Sequence, residues 1–165
     1  IEPNPSSYEL LEQNIFENQL TDIETFQCAL SEVEGETLYY REKTKNHWHS
    51  TGGFIEGAWT NQQESESFVV ETHTLSEFIQ EPIDLLKMDI EGAEQAVLKS
   101  AGDSLKMVKE LLLEFHPHRK QSLEEILKIL EPYFKTTLFK DGKEVQFTKA
   151  RGLLHIHGKS RFSQI

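Results

Sequence analysis

Apolar residues recur along the chain with two periods, and the places where the period changes mark the predicted elements. Tyr8, Leu11 and Ile15 return at helical spacing behind Ser6 and Glu9, the pairing of a capping box, so a first helix is expected up to about Asn18. Ile23 to Leu30 and Thr37 to Arg41 read as strands, joined by a polar hairpin or bend around Glu34-Gly35-Glu36. Lys43 to Ser67 is polar, with Gly52, Gly53 and Gly57 and the isolated Trp48 and Trp59, and reads as a long loop suited to a substrate-binding lid.

Phe68 to Thr74 alternates as a strand does, and Thr74 to Ile79 begins a short helix that must stop near Pro82. The clearest unit follows. Ile83 to Ile90 is a short, mostly apolar strand, Gly92 to Leu98 a helix with its apolar residues on one side, and Glu110 to Phe115 a second buried-looking strand. Strand, crossover helix and strand predict a βαβ unit with parallel strands. Ser122 with Glu125 opens a further helix carrying Leu123, Ile126, Leu127 and Leu130. Thr136 to Phe139, Val145 to Phe147 and Leu153 to His157 are the expected closing strands.

Composition narrows the function classes. The 165 residues suit one domain, and 37% hydrophobic with 10% aromatic residues excludes a disordered chain. Lys and Arg total 17 against 28 Asp and Glu, a formal charge of -11 that repels a phosphate backbone, so nucleic acid is not an expected partner. Cys28 is the only cysteine, which excludes an intrachain disulfide and a cysteine-rich zinc site and makes a reducing, cytoplasmic compartment the expectation. No apolar run approaches the roughly 20 residues that cross a bilayer. The opening Ile1-Glu2-Pro3-Asn4-Pro5 has neither a signal-peptide pattern nor an initiator methionine, as in a piece of a longer protein.

In open α/β sheets the ligand crevice lies beyond the carboxyl ends of the strands. Four such ends carry polar groups: Glu2, the Cys28-Ala29-Leu30-Ser31 segment, Asp89 with Glu91, and Glu114 with His116. Each also has a structural reading. Glu2 serves equally as a solvated carboxylate, and Asp89 and Glu91 as carboxylates at a helix N-terminus, worth roughly 0.3 to 1 kcal/mol. Gly92 suits a positive φ or a close helix-to-strand approach. Glu114, His116 and His118 alternate onto one face as metal ligands would, but Pro117 ends the strand before His118 is placed, and no metal site is expected. His155 and His157 read as surface strand residues, and the tryptophans as core or lid packing.

Several of these residues fall in a familiar arrangement. Ile1-Glu2-Pro3-Asn4-Pro5, a helix ending in Asn14-Ile15-Phe16-Glu17-Asn18, then Ala29-Leu30-Ser31 and Gly35, Thr74-Leu75, and above all Ile83-Asp84-Leu85-Leu86-Lys87-Met88-Asp89-Ile90-Glu91-Gly92-Ala93-Glu94, with Val97-Leu98 and Leu113-Glu114, resemble the FkbM family of S-adenosylmethionine-dependent methyltransferases. The resemblance covers nearly the whole chain and is weakest after Tyr133. It implies a Rossmann-like methyltransferase fold of the α/β class, a mostly parallel sheet with an antiparallel C-terminal edge, in a single domain over residues 1–165. It implies S-adenosylmethionine as cofactor, with Glu2 accepting from both ribose hydroxyls, Asn4 beside it, and Ala29 and Leu30 lining the adenine pocket. Asp89 falls beside the transferred methyl, as a cofactor-binding and catalytic residue that orients the acceptor. His116 is the expected base, since an imidazole pKa near 6.5 matches neutral pH. Glu91, Glu94 and Glu114 are expected on the acceptor side.

One departure matters. The family's first strand and glycine-rich loop should precede Ile1, and Gly52 to Gly57 follows a polar stretch instead of an apolar strand. The chain is therefore expected to start at the family's second strand and to be N-terminally incomplete and inactive by itself. The open strand edges would be filled by further residues or by another chain, as in a homo-oligomer. The expected activity of the parent protein is methyl transfer to a hydroxyl of a sugar or other small-molecule acceptor, without nucleic acid or membrane. Two alternatives stand beside it: a truncated, inactive binding or oligomerisation module, and a metal-dependent hydrolase using Asp89, Glu114 and His116.

Overall fold

The computed structural model describes residues 1–42, 53–55, 65–117 and 121–162. In chain order these form α1 (Pro5–Glu17), β1 (Ala29–Leu30), β2 (Gly35–Glu42), β3 (Gly53–Ile55), β4 (Ser65–His73), α2 (Leu75–Phe78) and β5 (Ile83–Met88). There follow α3 (Glu94–Ala101), β6 (Val108–Phe115), α4 (Leu123–Leu130), β7 (Phe134–Lys140), β8 (Lys143–Val145) and β9 (Leu154–Ser160). They build a four-stranded sheet ordered β1-β4-β2-β3 and a five-stranded sheet ordered β5-β6-β9-β7-β8.

The expected βαβ unit is present: β5 and β6 run parallel, with Ile83 opposite Val108 and Met88 opposite Leu113, and α3 crosses between them. The expected mostly parallel sheet is not. Among the described residues β1 and β4 are the other parallel pair, while β2 is antiparallel to both its neighbours and β9 is antiparallel to β6 and β7. Connection length explains part of this, because a parallel return needs a crossover of about a dozen residues or more. Between β7 and β8 there are only Asp141 and Gly142, at φ 50° and 73°, a tight turn that returns the chain antiparallel.

Other expectations shift in detail. The turn at Glu34-Gly35-Glu36 does not pair the strands it joins, since β1 and β2 both pair with β4. Of Ile23 to Leu30 only Ala29–Leu30 enters a ladder; Ile23 and Phe26 are exposed and alternate with polar residues that a buried ladder would have to desolvate. Part of the expected lid is strand: β3 pairs with β2, and β4 already begins at Ser65. Trp48, Trp59, Gly52 and Gly57 lie outside the described residues. The first helix is capped by Asn4, whose side chain accepts from Ser6 N–H, and not by Ser6; Pro5 starts the helix because its fixed φ suits the first turn and it has no N–H to satisfy. The capping box at α4 holds on its N-cap side, where Ser122 Oγ accepts from Glu125 N–H at 3.2 Å. α3 starts at Glu94, two residues later than expected, because Glu91 and Gly92 are both at positive φ.

The core lies where α3 and α4 pack on the second sheet. Val97, Leu98, Ile126 and Leu130 from the helices meet Leu111 and Leu113 of β6, Phe134 of β7 and Ile156 of β9, all at most 1% exposed. Burying each such side chain stabilises by about 1.5–3 kcal/mol. This packing fixes the C-terminal ends of β5 and β6 beside the start of α3. No helix among the described residues is long and apolar enough to cross a membrane.

Candidate active site

The polar cluster at that end is centred on His116, just beyond β6. After β5 the chain turns through Asp89 and Ile90 to Glu91, which holds φ at 53°, a region costly for a residue with a Cβ. This turn aims Glu91 Oε2 at His116 Nε2, 3.3 Å away, with Asp89 Oδ1 at 3.9 Å. From β6, Glu114 Oε1 lies 3.7 Å from the same nitrogen, and its other oxygen lies 3.4 Å from His155 Nε2 of β9. Lys87 Nζ is 3.6 Å from Asp89 Oδ2.

The opposite side of the His116 ring meets Glu94, the first residue of α3, which is fully buried. Glu94 Oε1 lies 3.0 Å from His116 Nδ1 and accepts from Gly92 N–H at 3.0 Å, while Oε2 accepts from Gln121 Nε2 at 2.6 Å. Gln121 also donates to the His116 carbonyl and accepts from Gln95 N–H at 3.1 Å. Burial alone would push the Glu94 carboxyl up; the hydrogen bonds from His116, Gly92 and Gln121 outweigh it and hold the group below its ordinary range. His116 is likewise opposed by burial, yet its bond to Glu94 and the charges of Glu91, Glu94 and Asp89 raise it above its ordinary value.

Asp89 and Glu91 also line a cleft of about 460 Å³ between β5 and the N-terminal segment. Its far wall is Ile1, Glu2 and Pro3 with Cys28, Ala29 and Leu30; Tyr39, Leu75, Phe78 and Ile79 add apolar surface. Glu2 is held in place by its own N–H donating to the Phe26 carbonyl at 3.0 Å and by Oε1 accepting from Asn4 N–H at 2.8 Å. Burial pushes the Glu2 carboxyl up, with the Asn4 N–H opposing. A concave, mostly apolar space with carboxylates at two ends can take an organic ligand that has an apolar body and hydroxyl or cationic groups.

Against known families, the methyltransferase FkbM domain matches residues 1–145, a span that contains Glu2, Asp89, Glu91, Glu94, Glu114, His116 and Gln121. The chain belongs to the FkbM methyltransferase family. No curated protein and no solved structure gives a significant match that adds to this.

For this FkbM methyltransferase, the structure brings Glu2, Ala29, Leu30 and Asp89 to one cleft. His116 is not among the lining residues and reaches the cleft through Asp89 and Glu91. Asn4, expected at the cofactor, is instead buried as the cap of α1 and does not line the cleft. Glu94, expected to bind the acceptor, is sealed from it by burial and by its three partners. Asp89, Glu114 and His116 do converge, one ligand atom each within 4.8 Å of the others, and His118 lies outside the described residues. Gln121 and Tyr39 were not foreseen. A glutamine in a polar stretch gives no periodic signal, and what marks Gln121 is only the need of a buried carboxylate for donors.

Proposed function

We propose that this methyltransferase domain serves S-adenosylmethionine-dependent methyl transfer to a hydroxyl oxygen of a sugar or other small metabolite. The observation that carries the reading is the single cleft with Glu2 on one wall and Asp89 and Glu91, backed by His116, on the other. The residues fit the cofactor chemically. One Glu2 oxygen is engaged by Asn4 and the carboxylate keeps further acceptor capacity for a vicinal diol, while Ala29 and Leu30 offer apolar surface to a purine. When bound, the cofactor supplies an electrophilic methyl group on a sulfonium whose departure leaves a neutral thioether.

The chain's own residues then have few tasks. Asp89 accepts a hydrogen bond from the acceptor and orients it for in-line attack, a positioning effect. His116 Nε2, when the ring is neutral, takes the hydroxyl proton, and the carboxylates of Glu94 and Glu91 stabilise the imidazolium that results. Glu91 and Glu114, facing the same nitrogen, bind acceptor hydroxyls. The fold this implies is Rossmann-like, supported by the parallel β5-α3-β6 unit. A reducing cytoplasmic setting is supported by the lone, buried Cys28 thiol.

The test is transfer of a labelled methyl group from S-adenosylmethionine, by the full-length protein, to a panel of sugars and hydroxylated metabolites, read by mass spectrometry. Labelled methyl ether supports the reading. Cofactor binding with no ether on any acceptor would favour the inactive binding module.

A further inference from the structure

We propose that this chain associates with further copies of itself head to tail, the acidic outer face of α1 in one copy docking on the basic edge around β7 and β8 of the next.

Charge is segregated along the chain. Residues 1–40 carry nine Asp and Glu and no Lys, Arg or His, whereas residues 132–165 carry seven Lys and Arg against two Asp and Glu. Between these ends many charges are paired within the fold, as in Lys87–Asp89, Lys106–Asp103, Lys109–Asp84 and Lys128–Glu124. Among the described residues Glu9, Glu12 and Glu17 of α1 make no ion pair, and neither do Lys135, Lys143, Lys149 and Lys159 at the other end.

Each end also exposes apolar surface. None of the 13 residues of α1 is buried. Glu9, Gln13 and Phe16 share one face of it by their i, i+4 and i+7 spacing, and Phe16 is 84% exposed there. At the other end Phe147, which opens the short turn Phe147–Lys149, and Leu153 are 47% and 46% exposed, and in the chain they flank the exposed Lys149 and Arg151. An aromatic side chain on an acidic face thus has its complement in an apolar and basic edge.

The two surfaces cannot meet within one copy. The N-terminal segment faces β5 across the cleft, while β7 and β8 close the far side of the sheet ordered β5-β6-β9-β7-β8. β8 therefore stands four strand spacings, about 19 Å, beyond β5. Because the surfaces differ, the contact is heterologous and passes from copy to copy as a ring or an open array. The formal charge of -11 repels whole copies, but in about 0.1 M salt charges are screened beyond about 10 Å and those at the contact dominate.

Sedimentation velocity of the full-length protein over a concentration series, at about 0.1 M and about 1 M NaCl, tests this. Assembly that grows with concentration is expected at the lower salt, with an association constant about tenfold smaller at the higher, the effect of screening a few surface ion pairs. Charge reversal supplies a second arm. Glu9→Lys with Glu17→Lys makes the α1 face basic, and Lys143→Glu with Lys149→Glu makes the opposite edge acidic; all four positions are exposed. Each variant is expected to be monomeric by itself. Mixed in equal amounts the two are expected to assemble, because each then meets a complementary surface on the other. A wild type that stays monomeric throughout the series, assembly unchanged at high salt or in either variant, or a mixture that stays monomeric would overturn the proposal.

Discussion

Glu91 holds a left-handed backbone, φ 53°, and in that conformation brings its Oε2 to 3.3 Å from His116 Nε2. Backbone strain of order 1–3 kcal/mol persists only where the surroundings impose it, and here it aims a carboxylate at a buried histidine. Glu91 is one of the groups that raise His116. Glu91→Gln keeps the side-chain shape and removes the charge, so the His116 pKa is expected to fall from its wild-type value. An NMR titration of the ring checks this, and an unchanged midpoint would show that Glu91 does not act on the imidazole.

Gln121 supplies the donor at 2.6 Å to Glu94 Oε2. Gln121→Ala would leave a buried charged oxygen without that donor, at a cost of about 1–3 kcal/mol. Urea denaturation should report a stability loss of that order. A loss below about 0.5 kcal/mol would mean that the network relaxes around the gap.

The two faces of β6 differ sharply. Leu111 is fully buried against α3 and α4, whereas its neighbour Leu112 is 41% exposed. Leu111→Ala should cost about 2–5 kcal/mol and Leu112→Ala much less. Comparing their denaturation midpoints tests the register of β6, and the reverse order would mean that the strand is turned over.

His73 and Glu77 make a second acid–base pair, with Nδ1 and Oε2 2.8 Å apart at the start of α2. The bonds from His73 and Thr74 lower Glu77 to about 2, and the bond to Glu77 raises His73. The depressed carboxyl gives stability present above its ordinary 4.5 and lost as pH falls toward 2. The raised imidazole gives stability complete below its ordinary 6.5 and lost as pH rises through its raised value. The pair therefore contributes fully between about pH 4.5 and 6.5. Glu77→Gln should flatten that part of the stability profile and return the His73 titration toward its ordinary midpoint.

What could be read from the sequence follows from how local each cause is. The β5-α3-β6 unit and the cap at Ser122 depend on neighbouring residues and apolar spacing, and both were legible. The pairing of β1 with β4 is between distant segments, and nothing within Ile23 to Leu30 distinguishes the two residues that join the ladder from those that do not. At the site, the carboxylates of the turn after β5 and His116 are visible as strand-end groups. The inward direction of Glu94 was hidden because an acidic residue opening a helix normally faces solvent, and here Gln121, far along the chain, makes burial tolerable. Asn4 was displaced by the rule for helix starts, since a buried asparagine before Pro5 is used as a cap.

The central claim is that the cleft between Glu2 and Asp89 receives S-adenosylmethionine. It is tested most directly by adding the cofactor to the ¹⁵N-labelled full-length protein and following backbone amide shifts, beside the same titration of Glu2→Ala. The expected result is a saturating response concentrated at Glu2, Ala29, Leu30 and Asp89, with affinity in the variant weakened by about 1.5–3 kcal/mol, roughly tenfold or more. A response elsewhere, none at millimolar cofactor, or equal affinity in Glu2→Ala would contradict it.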